Sequence, residues 1–263
     1  MKISIITVSY NAAETIERTI RSVIEQDYED KEYIIIDGGS TDGTKEIIEK
    51  YEDYLAFYVS EPDHGMYDAL VKGFKHAPGE ICAYINADDF YQPHAFCTVA
   101  EIFEKYNGIK WLTGINAVYN SRDQITSVDT PYKYNCEFIQ KGLYDGIILP
   151  FIQQESTFWR KDLMQYLDFN YLEKLRLAGD YYLWQCFSKH SNLEVVSCIL
   201  SGFRRHAGQL SENITEYRKE KEQFCNKQTY LDVLRAYMYK LRFYLPKRFM
   251  NHMIKYDFQN ECW

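Results

Sequence analysis

No CxxC pair occurs in this sequence, and its seven cysteines, Cys82, Cys97, Cys136, Cys186, Cys198, Cys225 and Cys262, are scattered and odd in number. Such a set favours neither a disulfide framework nor a zinc site, and it fits a reducing compartment. No stretch approaches the roughly 18 apolar residues of a membrane span. The apolar run at residues 3–8 is short for the core of a secretion signal, and no cleavage site follows it. A cytosolic protein is expected. A basic excess is also missing: the formal net charge is -8, which argues against a nucleic-acid partner. Neither GxGxxG nor GxxxxGK[ST] follows the first apolar run, which removes a dinucleotide-dependent dehydrogenase and a P-loop enzyme. Internal repeats and low-complexity segments are absent. Aromatic residues, in contrast, are plentiful, with 24 Tyr and 15 Phe. Most belong in a core, but they also suit surfaces that stack on bases and sugar rings.

A chain of 263 residues can form one large domain, or a core domain with a smaller appended piece. Its first ninety residues alternate two patterns. Residues 3–8, 33–37, 55–60 and 81–86 are β-branched or apolar at nearly every position, as in strands covered on both faces. Between them, Ile16, Ile20, Val23 and Ile24 share a helical stripe, Asn11 and Glu14 have the spacing of a helix start, and helices are expected over 44–51 and 65–77. This alternation predicts an α/β domain with a mostly parallel sheet. Ligands in such sheets sit beyond the carboxyl ends of the strands. Polar residues collect there: Ser9-Tyr10-Asn11, then Asp37, then Asn86-Ala87-Asp88-Asp89. Later in the chain the pattern predicts a hairpin from 110–119 and 124–129, a strand at 155–160, a helix at 175–189 and a polar helical stretch over 216–244.

Two adjacent carboxylates repel unless a cation or donor compensates. Asp88-Asp89 at a strand end therefore fits a hard divalent ion, Mg²⁺ or Mn²⁺, shared with substrate phosphates. A solvated turn is the plainer reading of an isolated Asp-Asp, but the position at a ligand edge favours the ion. Asp37 suits hydrogen bonds from a nucleobase edge or ribose, while Ser40 or Thr41 caps the next helix.

The ordered set of motifs carries a resemblance. Ile3-Ser4-Ile5-Ile6-Thr7-Val8-Ser9-Tyr10-Asn11, Asp37-Gly38-Gly39-Ser40-Thr41-Asp42-Gly43, Asp63-His64-Gly65-Met66-Tyr67-Asp68-Ala69 and Asn86-Ala87-Asp88-Asp89 resemble family 2 glycosyltransferases of the GT-A fold in order and spacing. The likeness continues through Gln154-Glu155-Ser156-Thr157-Phe158-Trp159-Arg160, Ala178-Gly179-Asp180-Tyr181-Tyr182-Leu183-Trp184 and Arg204-Arg205-His206-Ala207-Gly208-Gln209-Leu210-Ser211. It implies a GT-A domain over 1–215, with a nucleotide-sugar half at 1–109 and an acceptor half at 110–215, followed by a helical extension at 216–263. It implies an inverting, metal-dependent transfer from a UDP-sugar, with dTDP- and GDP-sugars as alternatives, to a saccharide or polyprenyl-linked saccharide in bacterial surface-polysaccharide synthesis.

By the same resemblance, Thr7, Val8, Ser9, Tyr10 and Asn11 line the nucleotide, Tyr10 stacks on the base, and Asp37 binds its uracil edge. Asn86 and Asp88 hold the ribose or diphosphate, and Asp89 ligates the metal. Asp68 and Lys72, a helical turn apart, line the diphosphate side, although Val71 stands where the family often has Asn. Asp180 is the expected general base. As an Asp opening a helix it also reads as a cap. His206 completes the metal shell and Arg205 grips phosphate. Gln153, Gln154, Glu155 and Trp159 form an acceptor wall, against the alternative that Trp159 is core.

Between residues 233 and 256 there is no Asp or Glu, and Arg235, Lys240, Arg242, Lys247, Arg248 and Lys255 lie among aromatics. That pattern suits the surface of an anionic bilayer, or else packing on the core or on a second subunit. A sugar nucleotidyltransferase is a rival reading, weakened by the missing Gly- and Arg/Lys-rich loop after strand one. A nucleotide-sugar sensor without catalysis is another, weakened by the retained Asp180 and Asp88-Asp89.

Overall fold

β1 (Ile3–Ser9) is buried along its whole length, because its branched side chains meet a helical layer on each face. α1 (Ile16–Ile24) follows, then β2 (Lys31–Asp37), α2 (Thr44–Glu49), β3 (Phe57–Ser60), α3 (Met66–Lys75) and β4 (Ile81–Asn86). This is a computed structural model, and it describes residues 1–244 and 252–263. In the second half come β5 (Phe90–Tyr91), α4 (Ala95–Lys105), β6 (Trp111–Thr113), β7 (Asn116–Tyr119), β8 (Ile125–Asp129), α5 (Cys136–Gln140), β9 (Thr157–Arg160), α6 (Phe169–Leu172), α7 (Gly179–Phe187), β10 (Leu193–Val195) and β11 (Ser201–Arg204). α8 (Ile214–Glu222) and α9 (Tyr230–Lys240) complete the helices.

The main sheet has seven strands in the order β10-β6-β9-β4-β1-β2-β3. β1 runs parallel to β2 and to β4, β2 parallel to β3, and β10 parallel to β6, whereas β9 is antiparallel to both of its neighbours. Strand order reverses at β1, so the crevice past the carboxyl ends of β1, β2 and β4 is where such a sheet binds a ligand. A smaller sheet, β5-β11-β7-β8, flanks that crevice.

Alternation along the strands divides the core. Ile6, Val8, Ile34, Ile36 and Tyr84 face α3 and α7, while Ile3, Ile5, Ile35 and Ile85 face α1 and α4. α3 approaches β1 so closely that a Cβ on Gly73 would lie 2.5 Å from Ile6.

Several boundaries differ from the sequence expectation. Asn11 does not cap α1. It takes a left-handed backbone (φ 47°), and its side chain accepts the Thr41 amide, so the helix starts only at Ile16. The expected strand at 110–119 breaks at Gly114, where a side chain would collide with Cys198 O and Ser156. Its first part joins the main sheet as β6, and only its second part, β7, forms the hairpin with β8. The helix expected from residue 175 starts at Gly179, because the preceding amides are bound by Glu220.

The C-terminal segment returns to the domain. Ile254 bridges to Val196 beside β10, and the Trp263 amide donates to Glu101 on α4. Of the expected basic, aromatic tail, residues 245–251 lie outside the described residues. Among those described, no helix is long and apolar enough to cross a membrane.

Candidate active site

The first wall of the crevice is two strand-end loops laced together. Asp37 ends β2 and is fully buried. Its carboxylate accepts five hydrogen bonds, from the hydroxyls of Ser9 (2.9 Å), Ser40 (2.5 Å) and Ser60 (2.6 Å) and the amides of Gly39 and Ser40. Burial works against its charge, but the bonds from Ser40, Ser60 and Ser9 prevail and lower its pKa. The Asp37 carboxylate, expected to read a base edge, is held here by the turn that it shapes. The same holds along β1. Thr7 is buried with its hydroxyl on Tyr33 (2.9 Å), and Val8 is buried in the core, so both side chains are engaged within the fold. Asn11 joins the lacing through Thr41 and Ser40. Tyr10 stands at the rim, 67% exposed.

Asp63 is a residue to which the sequence reading gave no role. It is half-buried, one oxygen accepts the Gly65 amide at 2.8 Å, and its carboxylate lies where a side chain on Gly38 would otherwise be. Burial raises its pKa. Gly65, at φ 120°, then turns the chain into α3. Asp68 accepts the His64 amide at 3.0 Å, and Lys72 bonds Glu61 at 2.9 Å and lies 3.8 Å from Asp68. Both face the start of α3 as a charged, partly exposed pair.

The centre of the site is the turn after β4. Asp88 is 25% exposed, whereas Asp89 is 1% exposed. Asp89 accepts the Arg204 backbone amide at 2.8 Å, and Thr19 donates to its carbonyl at 2.6 Å. The carboxylate thus fixes the end of β11 against β4. Burial, then the charges of Asp88 and Glu155, raise its pKa well above the carboxylate range. Asp88 instead meets Gln209 Nε2 at 2.9 Å and His206 Nε2 at 3.0 Å. Asp89, expected as the metal ligand, keeps its second oxygen buried and without a partner, and the accessible carboxylate beside His206 is Asp88.

His206 Nδ1 lies 3.0 Å from Ala207 O, a carbonyl to which it can only donate. Its Nε2 then turns a lone pair toward a carboxylate oxygen, a contact that calls for a proton or a cation. Carboxylate and imidazole suit Mn²⁺ or a related divalent ion that also takes phosphate oxygens. Among the described residues, no cluster of three or more His, Cys, Asp or Glu could hold a metal by itself. Arg205 is exposed next to His206. Arg204 points the other way, against Phe90 and Asp123.

Asp180 sits in the first turn of α7. The Tyr67 hydroxyl accepts its amide at 3.1 Å and donates to Leu177 O at 3.0 Å. Gly179 is needed there because a Cβ would lie 2.5 Å from the Tyr67 ring. Tyr217 on α8 donates to the Asp180 carboxylate, 3.2 and 3.3 Å from its two oxygens. Glu220, one turn later, accepts the amides of Arg176, Leu177 and Ala178, each at 2.7 Å. Asp180 is not the cap; that position is Ala178, without a side-chain bond. Burial pushes its pKa up to about 6, against the hydrogen bonds it accepts.

Glu155 lies between the two halves electrically. It is buried with one oxygen unpartnered, and burial, with the charges of Asp88 and Asp180, pushes its pKa up to about 8. Gln154 is buried and donates to Tyr84 O, leaving its own carbonyl oxygen unpartnered; Asn86 likewise has a buried, unpartnered carbonyl oxygen. Gln153 is bound on both sides to Ala117. Trp159 is fully buried against Phe74, Tyr84 and Trp184, so the acceptor wall expected of it is core instead.

A mostly parallel sheet with a crevice at its switch point, an exposed tyrosine at the rim, a carboxylate–imidazole pair and a recessed carboxylate place these groups at the ligand-binding edge of an α/β protein. The chain belongs to glycosyl transferase family 2, whose model matches residues 4–167. It is 24% identical over 257 residues to UDP-Glc:alpha-D-GlcNAc-diphosphoundecaprenol beta-1,3-glucosyltransferase WfgD of Escherichia coli, covering 97% of this chain and 96% of that one. It is 35% identical over 107 residues to an uncharacterized glycosyltransferase of Nostoc, covering 40% of this chain and 33% of that one. Against the first three curated relatives, then, the likeness spans only 33–40% of their length. Among solved structures, S. aureus TarS 1-349 in complex with UDP-GlcNAc superposes with a TM-score of 0.67 at 16% identity, covering 95% of this chain and 74% of that one. The fold is thus GT-A.

Proposed function

We propose that the protein transfers a sugar from a UDP-sugar to a hydroxyl of a saccharide or polyprenyl-linked saccharide, with inversion, in bacterial surface-polysaccharide synthesis. The observation that carries this reading is the pairing of Asp88 with His206 on one side of the crevice and the recessed Asp180 on the other. Support for the donor and acceptor classes comes from the UDP-GlcNAc in the TarS complex and from the activity for which WfgD is named.

Tyr10 stacks on the base, and Asp63, with its carboxylate beside the glycine turn, accepts from the base edge. Asp88 and His206 would hold a divalent cation, with Asn86, Gln209 and exposed Arg205 around the diphosphate. Mn²⁺ accompanies GDP-Man in the mannosyltransferase PcManGT of Pyrobaculum calidifontis, a fold relative at a TM-score of 0.56 and 18% identity, covering 92% of this chain and 64% of that one. When bound, such a cation neutralises charge on the diphosphate. Asp180 takes the proton of the acceptor hydroxyl as its oxygen bonds to the anomeric carbon. The bond from that carbon to the diphosphate breaks, and its electron pair leaves on the diphosphate oxygen. A carboxyl with a pKa near 6 is ionised at neutral pH yet basic enough to accept that proton. Glu155, buried and protonated up to about pH 8, adds no negative charge beside Asp88 and Asp180.

The test is nucleotide release from a panel of UDP-, GDP- and dTDP-sugars with Mn²⁺, Mg²⁺ or EDTA, alongside calorimetric donor binding. Metal-dependent release from a UDP-sugar is expected. Failure of every nucleotide sugar to bind overturns the reading.

A further inference from the structure

The outer face of α9 carries apolar side chains where a helix on a domain surface normally carries polar ones. Tyr230, Leu231, Leu234, Tyr237, Met238 and Leu241 are each 46–86% exposed. At about 100° per residue they fall within an arc of roughly 120°. The opposite face is the one that anchors the helix. Asp232 bonds Lys141 at 2.5 Å, Arg235 bonds Glu137 at 2.9 and 3.1 Å, and Ala236 is buried. A contiguous apolar face of this size marks a docking surface.

We infer that this arc seats the protein on an anionic phospholipid bilayer; the inference rests on the lipid-linked acceptor proposed above. The charge pattern favours a bilayer over a second copy of the chain. Lys240 flanks one side of the arc and Arg242 the other, and no acidic residue occurs from 233 to 256. Two such helices packed face to face bring like charges together, whereas a bilayer of anionic headgroups complements both flanks.

The arc also leads to the site. Lys240 Nζ donates to Ile147 O at 2.8 Å, and both Ile147 and Phe151 in that loop are exposed. The Phe151 ring meets Tyr217 edge-on at 6.0 Å between centroids, and Tyr217 holds the base, Asp180. An acceptor anchored in the bilayer under α9 therefore reaches the crevice from the side of the proton-accepting carboxylate.

The experiment is flotation of the full chain with phosphatidylglycerol/phosphatidylethanolamine vesicles and with phosphatidylcholine vesicles, without donor or acceptor. The triple variant Leu231→Ser/Leu234→Ser/Met238→Ser is run in parallel, and light scattering gives the mass of both proteins. Expected are salt-sensitive binding of the wild type to anionic vesicles, binding of the variant weaker by about tenfold or more, and unchanged donor affinity. Three results each overturn the inference: no wild-type binding, equal binding of the variant, or a wild-type dimer that the variant dissociates. Because these readouts need no sugar transfer, they stand apart from a failure of the catalytic reading, which is seen as absent transfer to lipid-linked acceptors.

Discussion

Asp88 and Asp89 are neighbours in sequence with opposite surroundings. One is reachable and faces imidazole; the other is sealed and clamps the Arg204 amide. Asp89 also keeps its second oxygen buried and without a partner, so Asp88 is the carboxylate proposed to meet a cation from the crevice. Asp88→Asn is expected to weaken Mn²⁺-dependent UDP binding by at least about tenfold with an unchanged melting temperature. Asp89→Asn keeps an oxygen for the Arg204 amide and is expected to leave that binding within about threefold. Calorimetric titration of UDP with and without Mn²⁺ checks both, and the reverse order contradicts the assignment. At this scale the sequence was legible for residue type and position along the chain, but not for which way a carboxylate turns. Asp37 shows this most clearly. Its motif reads as a ligand contact, yet without a ligand its oxygens are held by three serines, at the ends of β1 and β3 and in the turn after β2. Trp159 reads equally as wall or core, and only the packing of α7 and α3 decides for core.

At the scale of elements, α8 holds the proposed base, Asp180. Tyr217 donates to the charged form of Asp180, so it holds the carboxyl below where burial alone would leave it. Tyr217→Phe is expected to move the acidic limb of the kcat–pH profile upward from about 6. Activity then falls several-fold near pH 6.5 and largely recovers near pH 8, a shift that a loss of packing alone would not produce. Steady-state rates across pH with a saturating donor measure it. Nothing in the sequence pointed to this coupling. Tyr217 and Glu220 lie about forty residues beyond the Asp180 motif, in a helix whose composition reads as solvated. The buried strands were legible for the opposite reason: branched residues at every position leave few alternatives to a sheet covered on both faces. The break at Gly114 was hidden because Cys198 and Ser156, which forbid a side chain there, come from distant parts of the chain.

Across the whole molecule, Asp88, Asp89, Glu155 and Asp180 gather acidic groups around one crevice. Glu155 has a folded-state pKa of about 8, above its ordinary 4.5, so the folded protein holds a proton that the unfolded chain releases. Its contribution is fully present below the ordinary value and is lost as pH rises through about 8. Glu155→Gln is therefore expected to flatten the fall of melting temperature between about pH 6 and pH 9. Each kcal/mol recovered at the alkaline end raises the melting temperature by roughly 2–4 °C in a chain of this size. Thermal melts across pH check this, and a steeper fall in the variant contradicts it.

The central claim is that Asp180 moves a proton while other residues hold the donor. It is tested most directly by measuring UDP-sugar affinity and sugar transfer on the same preparations of wild type and Asp180→Asn, with Mn²⁺ and a lipid-linked saccharide. The account predicts donor affinity within about threefold of wild type and transfer reduced by about a hundredfold or more. Transfer that survives the substitution, with donor affinity intact, would contradict it.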